Sequence, residues 1–438
     1  MNTKRMIAAA ALVTAAALSL SGCSTGTSSS SSSSSDASGQ TITVWAMNGD
    51  YSDQTLAAID KAFTKKTGAK VKLETQEWSG ITTKITTALS TSNPPDVLDI
   101  GNTQVSSFAA TGGLMDLTKY KSELSEGNTW ISGLEEPATI DGKLYAVPAF
   151  AASRAVIYNK TLWAAAGITS APTTWDEFTA DLDKVAAKNS SDSDFVPFYL
   201  PGQYWYSMLQ FVWDAGGNIA VDKNGTWKGT TSNAKAQTGL KNWKSFQNTY
   251  SSKASQTVDT TSPDMNQLMA EGKTSAILSN SSSIAAIEKQ NSKITDSDLG
   301  TFPMPGQSGS NQPSMIAGSD WAIAAKSTHA ELAREWVKIA ASSTMQQKWV
   351  FGHDGWLPNT VEGLQKAMDT SDFPEVQKGF FEAAKKSKAT PASPNWATIE
   401  GDKSVNEFTQ AIATGSKSIK AAASSFDSHL DEVLNKSN

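Results

Sequence analysis

Polar and aromatic side chains follow three predicted strands within the first part of the chain. The group comprises two carboxylates, two amides and an indole, namely Asn48, Asp50, Glu77, Trp78 and Asn102. A sugar hydroxyl can donate to a carboxylate and accept from an amide, and its ring face packs on an aromatic face. The group therefore favours a hydroxyl-rich ligand. Two alternatives stay open, namely Asp50 as a turn or helix-cap residue and Trp78 as core packing.

The elements that position this group alternate between strands and helices. Residues 41–46, 70–76 and 96–100 have the β-branched or alternating pattern of short strands. Between them, residues 54–67 and 80–90 carry apolar side chains at helical spacing. The order β-α-β-α-β predicts a parallel, doubly wound α/β sheet. In such sheets ligands bind outside the carboxyl ends of the strands, where the group above lies.

Charge and composition exclude several classes of protein. The 438 residues include 37 Lys and Arg against 43 Asp and Glu, and only three are Arg. A nucleic-acid binder or a receptor for phosphorylated ligands needs clustered basic residues. Three His and one Cys argue against a metal site, and no nucleotide-binding or hydrolase motif occurs. We expect no cofactor, no metal and no nucleic acid, whereas the fourteen Trp suit stacking surfaces for sugar rings.

The N-terminus has the pattern of an exported lipoprotein. Lys4 and Arg5 precede an apolar run at 7–20, which is too short for a membrane span. The residues up to Cys23 resemble a bacterial lipobox, and a Ser-rich stretch at 24–40 follows. This predicts a signal peptide, a lipid anchor on Cys23 and a flexible tether at 23–40 that holds the body at the extracellular face of the cell membrane. The alternative is an ordinary cleaved signal followed by an unrelated Cys.

One stretch of the chain resembles a known family. The pieces at 142–148, 158–160, 166–168 and 172–178 occur in one order after the lipobox. Together they resemble family 1 extracellular solute-binding proteins of ABC transporters, the group that includes maltose- and oligosaccharide-binding proteins. Much of this signature is structural, because Thr174 and Glu177 form a predicted helix-capping box.

The resemblance implies a two-lobe, periplasmic-binding-protein-like α/β fold of class II, type 2. Each lobe is expected to be a doubly wound sheet, and three hinge crossings join the lobes around a ligand cleft. The N-terminal lobe is expected at 41–148 and 316–370. The C-terminal lobe is expected at 153–305 and 375–438.

The C-terminal lobe contributes its own candidates for ligand contact. Tyr204, Trp205 and Tyr206 are adjacent, and since helical neighbours are about 100° apart, at least one should be exposed. Trp205 is the strongest candidate, and Trp213 follows two helical turns later unless it is core. Arg154 follows the first crossing, where a structural ion pair is an equal alternative. The other site residues implied by the family pattern are Phe150, Ser153, Asn280, Gly318, Ser319, Asp320, Asp354, Trp356 and Trp396.

The function implied is capture of a neutral oligosaccharide by hinge closure and its delivery to the permease of an ABC importer, by a monomer that is not an enzyme. One alternative is the same fold with a non-sugar ligand such as a polyol or a peptide. A second is a secreted carbohydrate-active enzyme, which needs a positioned carboxylate pair. Glu135 and Glu136 are adjacent, so their side chains diverge, and Glu77 has no evident mate. A third, a purely structural lipoprotein, leaves the cleft residues unexplained.

Overall fold

The computed structural model describes residues 37–436. The predicted signal peptide, the lipidation of Cys23 and most of the tether lie outside this range. Its strands are β1 Thr41–Met47, β2 Lys70–Gln76, β3 Val97–Gly101, β4 Thr139–Ile140, β5 Lys143–Leu144, β6 Ala146–Ala152, β7 Ala155–Asn159, β8 Ala220–Lys223, β9 Thr226–Gly229, β10 Ala276–Ser279, β11 Leu299–Phe302, β12 Ser314–Met315, β13 Ala317–Ile323 and β14 Ser387–Lys388.

The helices are α1 Asp53–Thr67, α2 Ile81–Ser90, α3 Val105–Ala110, α4 Lys121–Leu124, α5 Ser132–Ala138, α6 Lys160–Ala165, α7 Trp175–Lys188, α8 Trp205–Asp214, α9 Ala234–Tyr250, α10 Met265–Ala270, α11 Ser282–Gln290, α12 Ala330–Ala341, α13 Ser343–Met345, α14 Val361–Met368, α15 Lys378–Ala384, α16 Trp396–Gly401, α17 Ser404–Thr414 and α18 Ile419–Leu434. Within residues 37–436, none of these helices has the length and apolar character that a membrane crossing requires.

The first sheet has the strand order β2-β1-β3-β13-β6. Strand β1 is parallel to β2 and β3, which confirms the predicted β-α-β-α-β unit. Strand β13, from much later in the chain, is antiparallel to β3 and β6. Helix α1 is typical of the helices on this sheet. Ser52 caps its N-terminus, Gly68 ends it in the left-handed region, and Leu56, Ile59 and Phe63 are buried.

The second sheet has the order β10-β7-β11, and β7 is antiparallel to both neighbours. Residues 195–200 run beside this sheet and form only isolated bridges, Val196 with Thr274 and Tyr199 with Ile277 of β10. Pro197 lies between these bridges and has no N–H to donate, which interrupts the ladder. The capping box of α7 is present, with reciprocal bonds between Thr174 and Glu177.

Each sheet has its own hydrophobic core, which confirms the two-lobe α/β class. The N-terminal core includes Phe63, Trp321 and Trp336. The C-terminal core includes Trp163 and Trp243. A third, smaller cluster of apolar side chains includes Ile131, Ile316, Leu357 and Phe381.

Three chain segments connect the two sheets and are hydrogen-bonded to one another. Ser153 and Arg154 link β6 to β7, residues 303–313 lead from β11 to β12, and β14 lies in the third segment. Strands β12 and β14 pair in parallel, so the second and third segments run side by side. The Ser314 hydroxyl accepts from the Arg154 main-chain N–H and bonds the Arg154 carbonyl, both at 3.0 Å. The connections therefore form one joined hinge region.

Candidate ligand-binding cleft

Asp50 is the centre of a polar cluster at the carboxyl ends of β1 and β3. Its Oδ2 accepts a hydrogen bond from the Ser319 hydroxyl at 2.7 Å, and its Oδ1 accepts from Trp78 Nε1 at 3.3 Å. The Asp50 main-chain carbonyl accepts from Trp356 Nε1 at 2.6 Å. The structure therefore brings four residues predicted for the site into direct contact, from three distant parts of the chain.

Trp78 presents its ring to solvent. Among residues 37–436 it is the one large hydrophobic side chain that is exposed, at 39%. Two of its ring carbons lie 3.4 Å from the position that a Cβ on Gly101 would occupy, so the indole lies directly over β3. A flat indole held by a carboxylate and supported by backbone is a suitable platform for the face of a sugar ring.

Other predicted residues of this lobe surround the platform. Asn48 Nδ2 donates to Glu77 Oε1 at 3.0 Å, and both side chains are exposed. The Phe150 ring lies between Trp356, stacked at 4.6 Å, and Tyr51, edge-on at 5.3 Å. These contacts fix the aromatic wall beside Asp50.

Asp354 lies at the N-terminus of α1. Its Oδ2 accepts from the Ser52 N–H at 3.3 Å, and its Oδ1 is 2.8 Å from His353 Nδ1. A carboxylate at a helix N-terminus interacts favourably with the helix dipole. These contacts hold the loop that carries Trp356.

Three predicted site residues make close contacts with other parts of the protein. Asn102 is buried, and its Nδ2 donates to the carbonyls of Gly133 and Ile316 at 3.4 and 3.3 Å. The Ser153 hydroxyl donates to the Phe380 carbonyl at 2.6 Å. Gly318 has a φ of 154°, and a Cβ there would lie 2.2 Å from the Phe150 carbonyl oxygen. These positions shape the cleft floor.

Two buried carboxyl groups lie behind Asp50. Asp99 is 1% exposed and accepts from the Met47 N–H at 3.1 Å. Asp320, a predicted site residue, has no exposed surface, and neither carboxyl oxygen has a hydrogen-bond partner among the described residues. Sequence reasoning missed Asp99, although a carboxylate inside the apolar run of β3 is a visible signal.

Burial shifts the ionisation of all three acids. It raises the pKa of Asp50, opposed by the hydrogen bonds from Ser319 and Trp78. It raises the pKa of Asp99 well above its ordinary value, and the charge of Asp50 adds to that effect. Burial alone raises the pKa of Asp320 in the same direction. For the deeply buried Asp99 and Asp320, burial favours the neutral acid.

The C-terminal lobe contributes an aromatic cluster around Arg154. The ring centroids of Trp205 and Tyr206 are 3.9 Å apart, and Arg154 lies over the Tyr206 ring at 4.0 Å. Tyr204 and Trp205 are buried, at 5% and 6% exposed, whereas Tyr206 is half-buried. One of the three adjacent aromatics is thus partly exposed, and it is Tyr206 rather than the favoured Trp205.

Trp396 and Trp213 are placed away from the open surface of the cleft. Trp396 has no exposed area, because it packs on Trp205 at 6.0 Å and donates from Nε1 to Glu400 at 2.6 Å. Trp213, near the far end of α8, is 5% exposed and lines a cavity of about 350 Å³ together with Glu136, Trp227 and Lys388. In this arrangement neither offers a stacking face beside Asp50.

Asn280 has a capping role at α11. Its Oδ1 accepts from the Ser282 N–H at 3.2 Å and from the Ser282 hydroxyl at 2.6 Å. Its side chain is half-exposed. The side-chain oxygen of Asn280 is therefore bonded within its own turn, and its Nδ2 remains available as a donor.

The two lobes touch beside the cleft. Helix α16 lies against the turn at Asn102–Gln104. The Ser106 and Ser107 hydroxyls of α3 donate to the carbonyls of Ser393 and Pro394 at 3.2 and 2.7 Å. No sequence pattern signals these serines, because hydroxyl-to-carbonyl bonds between distant segments leave no periodicity.

Comparisons with known proteins are consistent with this architecture. Residues 48–347 match the model of the bacterial extracellular solute-binding protein family. The diacetylchitobiose binding protein DasA of Streptomyces coelicolor is 36% identical over 387 residues, which are 88% of each chain. The multiple sugar-binding protein of Streptococcus mutans is 25% identical over 329 residues, covering 72% of this chain and 74% of the relative.

Solved structures share the fold. The sugar-binding protein MalE of Xanthomonas citri has a TM-score of 0.78 at 21% identity, covering 90% of this chain and 97% of that protein. A cyclo/maltodextrin-binding protein complexed with maltotetraose has a TM-score of 0.74 at 20% identity, covering 90% and 98%. The family match over residues 48–347, the 36% identity over 387 residues and the shared fold agree. This chain belongs to the bacterial extracellular solute-binding protein family.

Proposed function

We propose that this protein is the extracellular receptor of an ABC importer and that it captures a neutral oligosaccharide between its two lobes. The observation that carries the proposal is the exposed indole of Trp78, held by Asp50 at 3.3 Å and flanked by the exposed pair Asn48 and Glu77. A stacking face beside carboxylate and amide groups matches the two surfaces of a sugar, one apolar and one hydroxylated.

The relatives support the same class of ligand. The 36%-identical relative from Streptomyces coelicolor is named for binding diacetylchitobiose, and the one from Streptococcus mutans for binding several sugars. The acidic balance of the chain, 43 acidic against 37 basic residues, disfavours an anionic ligand. Diacetylchitobiose is therefore the first ligand to test.

Capture follows from the geometry of the hinge. Open and closed forms are in equilibrium, and a ligand that touches both lobes stabilises the closed form by its additional contacts. Each buried hydrogen bond contributes about 1 kcal/mol net, and each stacked ring a similar amount. A few rings and several bonds reach about 8 kcal/mol, which corresponds to an affinity of about 1 μM.

An enzymatic role has little support in the cleft. A glycosidase needs two carboxyl groups on either side of the scissile bond. Asp99, the carboxyl group that neighbours Asp50, is 1% exposed and out of reach of a substrate. Glu135 forms an ion pair with Lys121. We therefore propose a binding protein that releases its ligand unchanged to a permease, with lipid on Cys23 as the membrane anchor.

Isothermal titration of the purified mature chain against neutral oligosaccharides tests the proposal. The panel contains diacetylchitobiose, cellobiose, maltose, maltotriose, xylobiose and raffinose, with a polyol and a tripeptide as the competing ligand classes. We expect micromolar or tighter binding of at least one oligosaccharide, with the sugar recovered intact. Binding of only the polyol or the peptide, or hydrolysis of the sugar, would contradict it.

A further inference from the structure

Arg154 lies where the three connections between the lobes meet. Its main-chain N–H and carbonyl both bond the hydroxyl of Ser314 in the second connection. Ser314 in turn pairs with Ser387 of the third connection. Arg154 therefore lies at a point where hydrogen bonds join the first connection to the second, and strand pairing joins the second to the third.

The guanidinium reaches the aromatic cluster of the C-terminal lobe. Its Nε donates to the Tyr204 hydroxyl at 3.1 Å, its Nη1 donates to the Met315 carbonyl at 3.3 Å, and it lies 4.0 Å from the Tyr206 ring centroid. Asn102, on the opposite wall, donates to the next carbonyl along, that of Ile316. Arg154 and Asn102 therefore both donate to the short segment that joins β12 to β13, at two consecutive carbonyls.

Arg154 has no ion pair with any carboxylate of residues 37–436, unlike Arg334, which pairs with Glu123 and Glu331. Two of its N–H donors are used by Tyr204 and Met315, and the others have no protein acceptor in the described chain. Arginine has donors only, so a ligand atom that satisfies it must be an acceptor. The predicted structural ion pair at this position is absent from the described residues.

The charged residues on the two sides of the cleft indicate which kind of acceptor suits Arg154. The N-terminal wall carries Asp50, Glu77 and Asp354, and the C-terminal wall carries Glu400 behind Trp396. A ligand carboxylate would meet this negative field. A carbonyl oxygen accepts from a guanidinium fork without adding charge, and unlike a hydroxyl it brings no donor that Arg154 would leave unmatched.

We propose that Arg154 determines specificity by donating to the acyl carbonyl of an N-acylated amino sugar. This assignment rests on the proposed function, because it presumes that the cleft binds an oligosaccharide. Through this bond Arg154 would distinguish one class of sugar from others. The polar cluster around Asp50 does not do so, since carboxylates and amides can bond the hydroxyl groups of any sugar. A deacetylated sugar lacks the acyl carbonyl and would leave the free donors of Arg154 without that acceptor.

The test compares three disaccharides with the same β-1,4 backbone, namely N,N′-diacetylchitobiose, cellobiose and the deacetylated diamine. For the parent protein we expect the diacetylated sugar to bind about tenfold or more tightly than cellobiose, as for a hydrogen bond to a charged donor. The diamine, which lacks the acyl carbonyl, should lose affinity relative to the diacetylated sugar, and in Arg154→Gln this difference should shrink. In Arg154→Gln we expect the preference for the diacetylated sugar to fall by about tenfold, while affinity for cellobiose changes by less than about threefold.

Two further variants keep the test decisive. Arg334→Gln removes an arginine outside the cleft and should leave the preference unchanged. Arg154→Lys keeps the charge but not the fork and should retain part of the preference, which provides a measurement if Arg154→Gln fails to fold. An unchanged preference in Arg154→Gln would overturn the assignment, as would equal affinity of the parent for cellobiose and the diacetylated sugar.

The outcomes also separate this inference from the proposed function. A parent protein that binds some other oligosaccharide, and neither disaccharide here, would contradict the role of Arg154 and leave the proposed function standing. A parent protein that binds no oligosaccharide at all would contradict both.

Discussion

The Ser319 hydroxyl donates a hydrogen bond of 2.7 Å to Asp50 Oδ2, across 269 positions of the chain. Ser319 belongs to β13, which follows directly from the second connection between the lobes. Asp50 holds Trp78 through its other carboxyl oxygen. The bond therefore couples the hinge region to the stacking platform.

The first prediction concerns this bond. In Ser319→Ala, Asp50 loses the hydrogen bond that most opposes the effect of burial, so the pKa of Asp50 rises further. We expect ligand affinity at neutral pH to fall by about threefold to tenfold. In calorimetric titrations over a pH series, lowering the pH should abolish binding in both proteins. The variant should lose binding at a higher pH than the parent does.

The matched control is Ser327→Ala. Ser327 donates to Asp96 Oδ1 at 2.5 Å, the same pair of residue types at the opposite end of β3 from the cluster around Asp50. Equal losses of affinity in the two variants would show that the Asp50 bond has no special role.

The second prediction concerns Asp320. Its folded pKa is raised by burial above the unfolded value of about 3.9, so folding takes up a proton between the two values. This contribution to the free energy of unfolding is fully present below about pH 4 and declines as pH rises toward the folded pKa. The decline is at most about 1.4 kcal/mol for each pH unit.

Asp320→Asn imitates the protonated acid at every pH. We expect the variant to be more stable than the parent at neutral pH and to lose less stability as pH rises, in urea unfolding followed by fluorescence. Part of the dependence should remain, because the pKa of Asp99 is raised too. Asp372→Asn, at an exposed position, is the control. A variant less stable than the parent at neutral pH would show that Asp320 is needed as a carboxylate.

The third prediction concerns Gly318. A Cβ at this position would lie 2.2 Å from the Phe150 carbonyl oxygen, between two paired strands. Gly318→Ala should lower the free energy of unfolding by about 1–3 kcal/mol and weaken ligand binding, since the strands must separate. Gly401→Ala has no neighbour within 4 Å of its Cβ and is the control. Wild-type stability in Gly318→Ala would refute the close approach.

The fourth prediction concerns the membrane anchor. Cys23 is the single cysteine of the chain, and it follows the apolar run at 7–20. In Cys23→Ser, produced in a bacterium that processes lipoproteins, the protein should leave the membrane fraction because no thiol accepts the lipid. Ser24→Ala is the control and should stay with the membrane. Equal membrane association of both variants would contradict lipidation at Cys23.

Local patterns predicted much of the N-terminal lobe. Strands β1 and β2 and helix α1 follow from alternation and helical spacing over short stretches. The candidate site residues Asn48, Asp50 and Trp78 were chosen by the rule that ligands bind at the carboxyl ends of strands. These predictions needed only neighbours in sequence.

The C-terminal side of the cleft was harder to predict. Residues distant in sequence decide which of its aromatic side chains are buried and which are exposed. Trp205 is buried by Trp396, and Tyr206 is oriented by Arg154, which reaches it from the hinge. Helical spacing shows that adjacent aromatics cannot all face one core, but it does not say which one is exposed. The proximity of Asp99 to Asp50 was hidden for a similar reason, since Asp50 lies in the turn after β1 and Asp99 lies within β3.

The central claim is that the face of Trp78 binds a sugar ring in the cleft. Its most direct test is calorimetric titration of the parent and of Trp78→Ala with the tightest sugar of the panel. The matched control is Trp45→Ala, because Trp45 is a half-buried indole of the same lobe whose Nε1 donates to Glu74 at 2.8 Å. We predict that Trp78→Ala loses about tenfold or more in affinity with little change in stability, and that Trp45→Ala binds as the parent does. Parent-like affinity in Trp78→Ala would contradict the account.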